Sequence, residues 1–289
     1  MKILVIGAQG QLARSLVERA GVSGDVELVA IGRDRTDIEQ PATLVEAIAA
    51  AKPDVVINSA AYTAVDDAED DEARAFTINA AGAGEAAKAS AAAGARFIHI
   101  STDYVFDGSG STARDEFAPT GPLGAYGRSK LAGEQAVRAA DPDALIVRTA
   151  WLYSPFGHNF VATMMNAART RDELSVVDDQ RGNPTCALDL ADAILVAARK
   201  GWSSGDLFHV AGTGDINWAG FAEAIMAECQ RLGLPSARIV PIPSADYPTR
   251  AQRPPNSMLD SRRFQERFDF VMPHWGDSLP PVVERLGRG

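Results

Sequence analysis

The chain is poor in the residues that would suggest a secreted, metal-built or nucleic-acid-binding protein. It has two cysteines, Cys186 and Cys229, in 289 residues. Two thiols are too few for a disulfide framework, and both are expected to be buried and reduced. Its four histidines, His99, His158, His209 and His274, stand at no metal-ligand spacing, so they read as structural, with no metal site expected. Basic charge is in deficit, with 28 Lys and Arg against 38 Asp and Glu and a net charge of −10. That balance opposes general binding to nucleic acid or an anionic membrane, so an anionic ligand needs a local site. No apolar run is long enough to span a bilayer, and Met1 leads straight into a strand-like run without a cationic leader. A soluble, cytoplasmic protein is expected. Repeats, low-complexity linkers and heptads are also missing, so any lobes share one folded unit.

The chain does contain a repeating strand and helix pattern. Lys2 to Ile6 is a β-branched apolar run that enters Gly7-Ala8-Gln9-Gly10-Gln11-Leu12-Ala13 and an amphipathic stretch to about Ala20. Strand, glycine turn and helix in that order suit dinucleotide binding. Glycine permits positive φ, and the helix N-terminus offers N–H groups and a favourable dipole to a pyrophosphate. Gly7, Gly10, Gln11 and Leu12 are the candidate cofactor contacts; Ala13 takes the usual third glycine's place and is small enough for helix packing. A second strand, Glu27 to Ile31, ends in Gly32-Arg33-Asp34, without an acid at the position that would accept a ribose 2′-hydroxyl. Arg33 suits a 2′-phosphate, which favours NADPH and leaves NADH acceptance open. Asp37 and Ile38 could frame the adenine.

Two further strands, Asp54 to Asn58 and Arg96 to Ile100, deliver Ala61-Tyr62-Thr63 and Thr102-Asp103-Tyr104 to the carboxyl edge of the sheet. Ligands of open parallel sheets lie there. Thr102 could donate to an oxygen that gains charge as hydride arrives. Tyr126 and Lys130, four residues apart, share a helix face, and an ammonium beside a phenol makes it a better acid near neutrality. The acidic run from Asp66 to Glu72 reads as first-turn compensation of the dipole of a long alanine-rich helix ending near Gly94. Beyond a fifth strand, Ala144 to Val147, Trp151 emerges where it could stack on a base or sugar or pack into the core. Prolines and arginines concentrate between Arg238 and Arg267. Such an arginine cluster suits a diphosphate, because guanidinium donors match phosphate oxygens; Arg253, within Arg253-Pro254-x-Asn256-Ser257, is the best single candidate.

The fold expected is α/β, a Rossmann-type doubly wound parallel sheet. Residues 1–153 form the NAD(P)-binding core with the Tyr/Lys helix; residues 154–289 form a smaller, mainly substrate-binding lobe, with some segments returning to the core.

Taken together, Gly7-x-x-Gly10-Gln11-Leu12, Ala60 to Asp66, Ser101 to Gly108, Tyr126-x-x-x-Lys130, Arg148-Thr149-x-Trp151-Leu152-Tyr153, Asp179-Gln180-x-Gly182-x-Pro184-Thr185 and Arg253-Pro254-x-Asn256-Ser257-x-Leu259-Asp260 give a specific likeness. Over essentially its whole length the chain resembles the dTDP-4-dehydrorhamnose reductases of the extended short-chain dehydrogenase/reductase group. The resemblance implies NADPH-dependent reduction of a dTDP-4-ketosugar, with Tyr126 as proton donor, Lys130 on the nicotinamide ribose and Thr102 on the sugar C4 oxygen. It further implies cofactor contacts from Gly10, Gln11, Leu12, Asp37, Ile38, Ala61, Tyr62 and Thr63, and sugar contacts from Thr102, Asp103 and Trp151. A Mg²⁺-linked dimer of the family depends on an acid just after the fingerprint, where this chain has Ser15, so metal dependence and the choice between monomer and homodimer stay open. A related nucleotide-sugar ketoreductase or epimerase, or a catalytically silent NADP-binding regulatory subunit, is the alternative.

Overall fold

The computed structural model describes residues 1–288. The N-terminal half alternates strand and helix: β1 (Lys2–Ile6), α1 (Gln11–Ser23), β2 (Glu27–Ile31), α2 (Pro41–Ala51), β3 (Val55–Asn58), α3 (Glu72–Phe76), α4 (Ala83–Ala92), β4 (Arg96–Thr102), α5 (Ala125–Ala140) and β5 (Leu145–Thr149). After β5 come β6 (Leu152–Tyr153), α6 (Phe160–Ala167), β7 (Glu173–Val177), β8 (Arg181–Gly182), β9 (Thr185–Cys186), α7 (Ala187–Lys200) and β10 (Leu207–His209). The chain closes with β11 (Ile216–Asn217), α8 (Trp218–Arg231), β12 (Arg238–Ile242), β13 (Asn256–Ser257), α9 (Arg262–Phe268) and α10 (Trp275–Gly287).

Six strands form a parallel sheet in the order β10-β5-β4-β3-β1-β2. The strands are mostly apolar because both faces are covered, with polar residues such as His99 and Arg148 as exceptions. Ile3, Val5, Ile57, Ile98 and Val147 face α1, α7 and α9, while Leu4, Ile6, Val56, Phe97 and Ile146 face α2, α4 and α5. The expected doubly wound α/β fold is therefore present. Strand order reverses between β1 and β3, and the crevice beyond their carboxyl ends is the usual ligand position.

A second core is built by Tyr153, Val161, Met165, Val176, Phe221, Ile225 and Val283, from α6, α8, α10 and the parallel β7–β12 pair. The chain does not divide cleanly after Tyr153, since β10 joins the main sheet and α7 packs on α1. Asn217 caps α8, its side chain accepting from Gly220 N–H at 2.8 Å.

The long helix expected from Asp66 to Gly94 is broken. A single 3₁₀ turn (Asp67–Glu69) precedes α3, and a π-helical turn (Thr77–Gly82) joins α3 to α4. Within the π-helical turn lies Asn79, which is 1% exposed. Its carbonyl lies so close to α5 that a Cβ on Gly133 would come within 2.1 Å of it. Its side chain takes both polar groups of the Tyr62 backbone, accepting from N–H at 2.8 Å and donating to C=O at 3.1 Å. Widened turns of this kind recur beside functional sites.

Candidate active site

The turn after β1 shows why glycine stands where it does. Gly7 has φ +106°, and a Cβ there would meet the Ala60 backbone nitrogen at 2.9 Å. The turn thus brings the β1 and β3 loops together. Gly10 is the N-cap of α1 and brings no capping side chain. The first-turn N–H groups of a 13-residue helix are accordingly left for a ligand, and an anion fits them. Ala13 is fully buried against the sheet. Gly7 and Ala8 N–H groups donate to Ile31 C=O at 2.9 and 3.1 Å, which brings the end of β2 beside the turn. Arg33 follows it and is exposed. Ile38 is buried against Gly82, and Tyr62 is held by Asn79, so the Asp37-Ile38 and Ala61-Tyr62-Thr63 loops border the same crevice. The Gln11 amide meets the Ser154 hydroxyl at 2.8 Å, tying α1 to the chain leaving β6.

At the end of β4, Thr102 caps the short turn Asp103–Val105, its Oγ1 accepting from Tyr104 N–H at 3.3 Å and donating to Asp103 Oδ1 at 3.0 Å. Tyr126 and Lys130 lie in the first turns of α5. Glu69 Oε1 accepts Ala125 N–H at 2.7 Å, capping that helix from a distance. Burial raises the Tyr126 phenol above its ordinary range, while the Thr102 hydroxyl beside it works the other way. Lys130 is 2% exposed; its Nζ donates to Ile100 C=O at 2.6 Å and lies 3.4 Å from His99 Nε2. Burial lowers its pKa to about 8, opposed by the Glu134 carboxylate one turn on. The shared helix face is as expected, but Lys130 is aimed at β4, and the phenol's own surroundings favour its neutral form.

Sequence reasoning missed the groups beneath these two. His99, read as structural, is fully buried between Lys130 and Asn58, whose Nδ2 is 3.3 Å from His99 Nδ1; burial and the Lys130 ammonium keep the imidazole neutral. Glu134 and Arg148 form a buried two-pronged ion pair at 2.8 and 2.6 Å, and Ser101 donates to the same carboxylate at 2.5 Å. Asn79 Nδ2 donates to Ser129 Oγ at 2.9 Å. The signal available was a lone polar residue within an apolar strand or an alanine-rich helix.

The acids from 66 to 72 do not serve chiefly as first-turn charges. Asp66 Oδ2 pairs with Arg253 Nη2 at 2.6 Å and its Oδ1 accepts Ala251 N–H at 3.0 Å; Asp67 and Asp70 hold Arg250; Glu72 meets Arg128 at 2.8 Å. The Pro/Arg segment is thereby fastened to the core. Arg253 also donates to Tyr104 Oη at 3.0 Å, and the Tyr104 ring meets Tyr126 edge-on at 5.4 Å. Tyr104, Arg253, Phe160, Met164, Trp218 and Tyr247 line a cavity of about 940 Å³ between the Arg253 segment and the second core. Trp151 is not among its lining residues. It is half-buried, held at φ +46°, stacked at 3.4 Å on Trp218 and pressed on Gly182. Trp218 presents the aromatic surface instead.

Residues 1–288 match the family model described as the RmlD substrate binding domain. The chain belongs to the dTDP-4-dehydrorhamnose reductase family. It is 43% identical to the Burkholderia thailandensis dTDP-4-dehydrorhamnose reductase, with 99% of each chain covered. Among solved structures it is similar to a dTDP-4-dehydrorhamnose reductase from Clostridium acetobutylicum, with a TM-score of 0.91, 37% identity and 99% of both chains covered. The Bacillus anthracis dTDP-4-dehydrorhamnose reductase, solved in complex with NADP, gives a TM-score of 0.90 at 33% identity, covering 99% of this chain and 98% of that one. In the reductase fold the conserved geometry thus extends through the second lobe. No helix among the described residues is long and apolar enough to cross a membrane.

Proposed function

We propose that the protein reduces the C4 ketone of dTDP-4-dehydro-β-L-rhamnose to give dTDP-β-L-rhamnose, the last step in making that nucleotide sugar. The observation that carries this reading is the Thr102 hydroxyl beside the Tyr126 phenol, with Lys130 one helix turn on, in a parallel sheet whose first strand leads into the uncapped start of α1. NADPH, when bound, supplies the hydride. Gln11 and Leu12 receive its pyrophosphate on backbone N–H groups, Gly10, whose own N–H is given to Gly7 C=O at 3.1 Å, lets it approach the chain closely, and Arg33 receives the 2′-phosphate. The Asp37-Ile38 turn and the Ala61-Tyr62-Thr63 loop flank the remainder. Tyr126, neutral in its buried setting, gives its proton to the sugar oxygen. Lys130 supports the resulting phenolate and holds the nicotinamide ribose. Thr102 hydrogen-bonds the same oxygen, and Arg253, in the wall of the 940 Å³ cavity, meets the diphosphate. Asp103 acts on the sugar through Thr102, which donates to it, and Trp151 through the Trp218 ring on which it stacks. Ser15 lends no support to a metal-linked dimer, because it is buried and its hydroxyl donates to Gln11 C=O at 2.9 Å.

The test follows NADPH oxidation at 340 nm with dTDP-4-dehydrorhamnose made in place, NADH in parallel, and the product sugar identified. Stoichiometric conversion to dTDP-rhamnose is expected, and Tyr126→Phe should bind NADPH while losing about 10²–10⁴ of turnover. Cofactor bound but not consumed would favour a regulatory subunit, and turnover without net oxidation an epimerase. An intact Thr102, Tyr126 and Lys130 set supports the reductase over the regulatory subunit; the stoichiometry separates it from an epimerase.

A further inference from the structure

A threonine hydroxyl has one proton, and in this structure it is already committed. Thr102 Oγ1 donates to Asp103 Oδ1 at 3.0 Å and accepts from Tyr104 N–H at 3.3 Å. A ketone oxygen that gains charge needs donors, and in this arrangement Thr102 has no proton left to offer it. Asp103 is itself unusual. It is 3% exposed, and its Oδ2 makes no well-formed hydrogen bond, although the Ser257 hydroxyl stands near the carboxyl group. An ionised carboxylate deprived of partners on one oxygen is poorly stabilised, whereas a carboxylic acid tolerates the setting.

The groups around it come from four elements: Thr102 at the end of β4, Tyr104 on the turn, the Tyr126 phenol on α5 and Ser257 on β13. None of these is a cation. Arg253 gives its donors to Tyr104 Oη and Asp66. Burial pushes the Asp103 carboxyl up to about 6, against the pull of the Ser257 and Thr102 hydroxyls and nearby backbone N–H groups.

We infer that Asp103 is a positioning residue that sets the direction of the Thr102 hydroxyl: ionised, it holds the Thr102 proton, and protonated, it donates to Thr102 Oγ1 and releases that proton to the substrate oxygen. The inference rests on the reductase reading of Thr102 and Tyr126. The proton that neutralises Asp103 comes from solvent and stays on the carboxyl group, so the stoichiometry of the reduction is untouched. An asparagine at 103 has the same shape and a permanent donor, and so copies the protonated state.

The experiment measures kcat from pH 5 to 9 for the full chain and for Asp103→Asn, Thr102→Val and the double variant, with NADPH affinity as a check on folding. Wild-type kcat should step down as the pH rises through the Asp103 range. Asp103→Asn should lose that step, and at pH 8 its kcat should exceed the wild type's by at least about threefold, a fraction of what one oxyanion donor contributes. In the Thr102→Val background the step should be absent whichever residue stands at 103. A step that persists in Asp103→Asn, or in Thr102→Val, overturns the inference. So does a ¹³C carboxyl titration, assigned by difference from Asp103→Asn, whose midpoint falls in the ordinary aspartate range near ~4. A wild type that never reduces the ketosugar overturns the reductase reading itself, whereas normal turnover with unmoved profiles removes only the role of Asp103.

Discussion

Lys130 is the residue whose chemistry depends most on its burial. As the pH rises through about 8 its ammonium becomes a neutral amine, because the buried cation is costly and only the Ile100 carbonyl and Glu134 favour it. The neutral amine cannot steady a phenolate. The free enzyme's kcat/KM should therefore fall above about pH 8, approaching tenfold per unit, and a pH–rate series in constant ionic strength checks it. A flat profile to pH 10 would mean that Lys130 is protonated by something bound beside it or is not required. Asn79 offers a second test at this scale. Asn79→Leu leaves the Tyr62 N–H and C=O without their partners, at a cost of about 1–3 kcal/mol per buried group. NADPH affinity should fall with stability, read by isothermal titration and urea midpoints, if that loop contributes to the cofactor site.

At the scale of elements, α5 carries the reacting side chains, and its seat depends on two features. One is the close approach at Gly133, where an added methyl would come within 2.1 Å of the Asn79 carbonyl. Gly133→Ala should lift α5 off the π-helical turn, costing about 1–3 kcal/mol as an overpacking change, and should reduce kcat more than a surface Gly→Ala such as Gly21→Ala, whose added methyl meets nothing. The other is the buried Glu134–Arg148 pair between α5 and β5. Removing one partner strands a charge, so Glu134→Ala should cost about 3–5 kcal/mol, whereas an exposed pair such as Arg231–Glu228 should cost under about 1 kcal/mol. Thermal melts of the two variants side by side test the contrast.

At the scale of the whole molecule, the two cores are interleaved. Strand β10 and helices α7 and α9 return from the C-terminal half to the main sheet, and Arg250 and Arg253 bind the acids that follow β3. One cooperative unfolding transition is expected. Tryptophan fluorescence, weighted to the second lobe through Trp151, Trp218 and Trp275, should coincide in urea with far-UV circular dichroism, which averages over both. Separate midpoints would show that the lobes unfold independently.

Much of this was legible in the chain. The β1 turn, the uncapped start of α1, the pairing of Tyr126 with Lys130 on one helix face and the alternation that yields a doubly wound sheet all depend on neighbours within a few residues, where period and glycine placement act directly. Matters spanning the sequence were decided only by the fold. Asp66 was read as a dipole charge because its partner, Arg253, lies 187 residues away. Trp151 was a candidate stacking surface, yet Gly182 and Trp218, from two other elements, enclose it. His99 looked like one scattered histidine until β3 and α5 brought Asn58 and Lys130 to its two nitrogens. Local chemistry determined which side chains could react; long-range packing decided their partners, and with them their protonation, because burial and charge are properties of the surroundings rather than of the residue.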